Sequence, residues 1–98
     1  MNANNTVIDT VLEWQGRTIR LTYDPLKYKV IDHLEIHSED GDPLPITKTG
    51  YRSHFFGPAK PSLAKSEIEN LVRNWLNREA KSADWQKYEA ECIQLSLF

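Results

Sequence analysis

The first half of the chain alternates apolar and polar positions with a period of two, and the second half does not. Over residues 7–14, Ile8, Leu12 and Trp14 share one face with Thr10, while Asp9 and Glu13 point the other way. That is the pattern of a half-buried strand. Val11 falls among the outward positions, so part of that outer face is expected to be covered. Gln15 and Gly16 carry turn chemistry, with Gly16 free to adopt positive φ. Residues 17–24 then alternate cleanly, with Ile19, Leu21 and Tyr23 set against Thr18, Arg20 and Thr22. Together the two segments predict a β-hairpin. Asp24-Pro25 predicts the end of the second strand, because proline cannot donate to a ladder. A loop is expected at residues 26–29. A third strand is expected at residues 30–38, with Val30, Leu34 and Ile36 inward. Glu39, Asp40, Gly41, Asp42 and Pro43 form a turn sequence, and Pro43 and Pro45 keep the chain irregular just beyond it. Residues 51–56 predict a short fourth strand at a sheet edge.

The period changes after Gly57, Pro58, Ala59, Lys60 and Pro61. Ile68, Leu71, Val72, Trp75 and Leu76 recur at intervals of three and four, the apolar face of a helix over residues 66–80. Ser66 and Glu69 have the spacing of a capping box. Ser82 or Asp84 is placed to cap a second helix over residues 85–92. Its stripe is Trp85, Tyr88 and Cys92, which Ile93 or Leu95 would extend. The fold class that satisfies both halves is α+β: a three- to four-stranded antiparallel sheet covered on one face by two C-terminal helices. One domain is expected over residues 1–93, with a loose leader at residues 1–5 and a peptide tail at residues 94–98.

Composition narrows the function classes. At 98 residues the chain is one domain, large enough to bury a core without metals or disulfides. A net charge of −2 does not favour general affinity for nucleic acid or membrane. Cys92 is the single cysteine, which excludes an internal disulfide and points to a reducing cytoplasm. Residues 1–6 are polar and lack the apolar run of a signal peptide, and no stretch is long enough to span a bilayer.

Candidate chemistry is sparse. His33, Glu35 and His37 share a strand face, yet the outer two stand four residues apart, and each residue of a strand adds about 3.3 Å. No metal is assigned to them. The densest polar cluster is Thr47, Thr49, Gly50, Tyr51, Arg52, Ser53 and His54. Within it Thr49, Tyr51, Arg52 and His54 form a candidate site for a phosphate or carboxylate, with Gly50 allowing close backbone approach. The same segment resembles small bacterial proteins, a likeness that implies no activity. Cys92 is expected buried in its stripe and inert. No Ser, His and acid group stands out by spacing, there is no glycine-rich phosphate loop, and neither catalysis nor a cofactor is expected. Trp75 and Trp85 sit at core spacing and read as packing. Direct nucleic-acid binding would need Arg17, Arg20, Lys48, Arg52 and Lys60 to cluster.

The last five residues, Gln94, Leu95, Ser96, Leu97 and Phe98, resemble the motif by which many bacterial proteins dock on the replicative sliding clamp. In that motif Gln leads, Leu is second, a small polar or acidic residue stands third, and Leu-Phe closes. All five positions fit. The resemblance implies a sliding clamp as partner, with Leu97 and Phe98 in a deep pocket, Leu95 in a neighbouring one and Gln94 at a polar lip. The alternative is that Leu95, Leu97 and Phe98 pack on the core. The resemblance implies a replication or repair accessory, or a clamp inhibitor, and an anion or nucleic-acid site at residues 47–54 is the second reading.

Overall fold

A computed structural model describes residues 7–27, 31–59 and 62–96, with the backbone alone at residues 26, 27 and 93–96. The leader at residues 1–5, the inward placement of Val30, part of the loop expected at residues 26–29, and Lys60, Pro61, Leu97 and Phe98 lie outside the described residues. Strands β1 (Ile8–Trp14), β2 (Arg17–Lys27), β3 (Ile31–Ser38) and β4 (Tyr51–Phe56) are followed by helices α1 (Lys65–Glu79) and α2 (Ala83–Ser96). The strands form one open antiparallel sheet in the order β1-β2-β3-β4. The α+β class read from the change of period is therefore the fold.

The β1–β2 hairpin turns on Gln15 and Gly16, both at positive φ (48° and 77°). Such a turn matches the twist of the flanking strands. The strand alternation delivers Leu12, Trp14, Ile19, Leu21, Tyr23, Leu34 and Ile36 to one face. Ile68, Val72 and Leu76 from α1 complete the core, with Leu44 and Ile46 closing it from the β3–β4 connection. Two side-chain bonds fix α1 on β1. The Thr10 hydroxyl donates to Glu69 at 2.6 Å, and Trp14 Nε1 donates to Asn77 at 2.8 Å. Among the described residues no helix is long and apolar enough to cross a membrane.

Four local expectations are corrected. β2 does not stop at Pro25 but continues to Lys27, because the β1 register ends at the Ile8–Tyr23 pair and the β3 register shifts between Asp24 and Lys27. At such a bulge a proline needs no ladder donor. The N-cap of α1 is Ala64 rather than Ser66: the Glu67 carboxylate reaches back to the Ala64 amide at 2.7 Å, and Glu69 is taken by Thr10. Val11 is 52 % exposed, so the outer sheet face is uncovered there. Cys92 is exposed, because α2 has left the core by its third turn. That helix is capped by Ser82, whose Oγ accepts the Trp85 amide at 3.2 Å. It meets the core through Trp85, tilted against Trp14 at 6.2 Å between ring centroids, and through half-buried Tyr88.

A buried carboxylate ties the two halves together. Asp32, fully buried, lies on the inward face of β3 beside Leu34 and Ile36. It accepts the Tyr23 hydroxyl at 2.7 Å and the Ala59 amide at 3.1 Å, and the Tyr23 oxygen in turn accepts the Leu63 amide at 3.2 Å. The segment that joins sheet to helix is thereby fastened at both of its ends to side chains of β2 and β3.

Candidate functional site

The four residues proposed as an anion site divide into two pairs. Tyr51 opens β4 and Thr49 lies just before it. The Thr47 and Thr49 hydroxyls donate to the Tyr51 carbonyl at 2.8 and 3.2 Å, and Thr49 Oγ1 receives the Tyr51 amide at 3.4 Å. Those hydroxyls are spent on the chain itself. Gly50, at φ +80°, does allow a close approach, but the group that approaches is protein backbone. A Cβ there would lie 2.7 Å from the Gly41 carbonyl oxygen and 3.0 Å from that of Asp42. Carbonyl oxygens repel an anion, so that position holds no phosphate.

Arg52 and His54 remain together. Their register partners Ile36 and Leu34 are core residues, so both lie on the α1 side of the sheet, Arg52 exposed and His54 half-buried. The Arg52 guanidinium donates from Nη1 to the Ile46 carbonyl at 3.1 Å and lies over the Trp75 ring, 5.3 Å from its centroid. The His54 ring contacts Trp75 at 4.9 Å and Phe56 at 5.4 Å. Burial, and secondarily the Arg52 charge, hold the His54 imidazole below its ordinary pKa, so it is neutral at pH 7. A groove of about 540 Å³ opens beside these rings, lined by His54, Phe56, Leu71, Asn74, Trp75 and Arg78. The α1 side of it was missed from sequence, because Trp75 fits the core stripe by spacing. What marks it out is its place at the edge of that stripe, where β4 ends the sheet.

The other sequence candidates are dispersed. His33, Glu35 and His37 do share the uncovered sheet face, and His37 lies 3.7 Å from Glu35. His33, however, is buried against Phe55, at 4.2 Å between rings, and bonded to Ser53 at 2.6 Å. Among the described residues no group of three or more His, Cys, Asp or Glu side chains is arranged to hold a metal ion. The Ser53–His33 contact is a hydroxyl–imidazole pair that no spacing revealed, and it fixes the His33 ring on a flat sheet face. The basic residues do not form one patch. Arg17 pairs with Glu89 and lies over Trp14 and Trp85, whereas Arg20 pairs with Glu39 on the outer face. Lys60 lies outside the described residues.

The tail begins as helix. Gln94, Leu95 and Ser96 form the last turn of α2, so the expected boundary after residue 93 falls inside that helix. Ala90, Glu91 and Cys92 are all exposed. Three consecutive helical positions sweep about 200° of circumference, so α2 has no broad buried side at that level.

Comparison with known proteins adds one relationship. The profile of a family described as KlcB third domain matches residues 7–85, which takes in the sheet, α1 and the first residues of α2. No curated protein and no solved structure matches the chain. The tail lies beyond the matched segment. With the match covering most of its length, the chain belongs to the KlcB third-domain family.

Proposed function

We propose that this chain is a protein-binding module that docks on a bacterial replicative sliding clamp through Gln94, Leu95, Ser96, Leu97 and Phe98. The observation that carries the reading is the complete five-position match to the clamp-docking motif. Two features support it. The motif comes directly after the exposed third turn of α2, and it lies outside the segment that matches the family. The role is recruitment or competition at the clamp and assigns the domain no catalytic step.

Docking asks for a change of shape. Leu95, Leu97 and Phe98 reach one groove together only from an extended backbone, so the last turn of α2 must unwind on the partner. That costs little, because a helix end already lacks partners for its last four carbonyls and opens readily. So short a peptide reaches micromolar affinity, about −8 kcal/mol. Surface plasmon resonance on an immobilised clamp tests the proposal. The full chain is expected to bind in the micromolar range, and a chain lacking Leu97 and Phe98 is expected not to bind. Equal binding by the two proteins, or none by the full chain, overturns it.

A further inference from the structure

We infer that the groove between β4 and α1 is a site for a nucleotide unit, meaning an aromatic base carrying a phosphate. The inference is independent of the clamp reading and uses none of the tail. The His54 ring touches both Phe56 and Trp75, and all three rings line the groove and are only partly buried. Aromatic rings left partly open to solvent beside a groove offer a planar ligand a face to lie on. The volume, about 540 Å³, falls within the ~300–1,000 Å³ of small-ligand sites.

Charge selects the other half of the ligand. Among the described residues no carboxylate pairs with Arg52; its neighbours are a neutral carbonyl and the Trp75 ring. Those contacts hold the guanidinium in place and leave further N–H groups to donate. Arg78 lies one helical turn beyond Asn74 and Trp75 on the same groove. The acid against it is Glu79, at 3.6 Å from Nε on an exposed side chain, so Arg78 is partly neutralised and Arg52 is not. Arg78 lines the groove and Arg52 stands at its rim over the Trp75 ring, so the positive charge gathers at the Trp75–Arg78 end and an apolar surface at the Phe56–Leu71 end. His54, held neutral, adds no charge but can accept or donate one hydrogen bond. Base on the rings and phosphate on the guanidinium is the ligand that uses both ends. The overall acidity of the chain does not oppose it, because among the described residues the acid paired with these two arginines is the exposed Glu79 alone.

Amide NMR titration of the full chain with dTMP, thymidine and inorganic phosphate tests the site. With dTMP, shifts are expected on β4 and on the Leu71–Arg78 stretch of α1. Thymidine and phosphate alone should each bind at least about tenfold more weakly. Arg52→Ala should weaken dTMP binding by a similar factor, and Arg78→Ala should also weaken it. Arg20→Ala, on the opposite sheet face, should leave it unchanged. Short oligothymidylate distinguishes the sources: tighter binding than dTMP means a site for single-stranded nucleic acid, and equal binding means one for free nucleotides. The inference falls if millimolar dTMP moves no amide along the groove. It falls equally if Arg20→Ala costs as much as Arg52→Ala, since binding would then be diffuse charge attraction.

Discussion

Tyr23 shows how one hydroxyl can join two halves of a fold. It donates its hydroxyl hydrogen to buried Asp32 and accepts the Leu63 amide, so Tyr23→Phe takes one donor from Asp32 and removes the acceptor of the Leu63 amide. Such a loss costs about 1–3 kcal/mol, a fall of roughly 4–8 °C in Tm per kcal/mol for a domain of this size. Burial, then the bond to Asp32, push the Tyr23 phenol up from 10.0 to about 12. The native state therefore keeps its proton where the unfolded chain has lost it. The contribution of Tyr23 to stability is complete below pH 10 and is lost as pH rises through about 12; in Tyr23→Phe this alkaline decline should be reduced in chemical melts. His54 has the opposite sign. Its pKa is lowered in the native state, so its contribution is present above the ordinary histidine range and is lost as pH falls through it. Removing the Arg52 charge should raise the His54 pKa part of the way, leaving the larger effect of burial, as an imidazole NMR titration of Arg52→Ala would show. If that titration does not move, the guanidinium is not where the groove requires it. The reading of β3 from sequence named Val30, Leu34 and Ile36 as inward and passed over Asp32, because an acid among core positions gives no hint of its partner until Tyr23 and the linker are brought together.

Periodicity made the strands and helices legible as elements and set which residues face inward, because burial on one face leaves little freedom in register. The ends were harder to read. Ser66 and Glu69 have the right spacing for a cap, yet Glu69 is drawn across to Thr10 and Glu67 takes the role at Ala64. A local signal lost to a contact 59 positions away in sequence. Pro25 misled for a similar reason, since its tolerance depends on a bulge that only the β3 register shows. At the start of α2 the local signal held, and Ser82→Ala should cost about 1 kcal/mol, the ordinary value of an N-cap, in thermal or denaturant melts. Gly50→Ala should cost considerably more. The left-handed backbone alone costs an L-residue about 1–2 kcal/mol, and the new methyl must displace the Gly41 carbonyl at 2.7 Å. Gly16 has similar φ and open space around it, so Gly16→Ala isolates the backbone part.

For the molecule as a whole, the candidate site was half legible. Arg52 and His54 were among the four residues read as a candidate site, but which face of β4 they occupy could not be read from that strand alone, and so α1's Trp75, Asn74 and Arg78 were not joined to them. The tail invites a test at this scale that needs no partner. If Leu97 and Phe98 serve docking, deleting them should leave the Tm within about a few degrees. If they pack on the core, the loss of about 1.5–3 kcal/mol for each buried side chain would lower it by more than ~10 °C. The Thr47–Thr49 turn has a consequence for crowded solutions. An open sheet presents unpaired amides and carbonyls along its outermost strand, a template on which other chains accrete. Two threonine hydroxyls already occupy both backbone groups of Tyr51, which shortens the sticky edge to its Ser53–Phe55 end. Replacing both with valine keeps their shape and uncovers that template, and light scattering should then rise with concentration while the wild-type chain stays monodisperse.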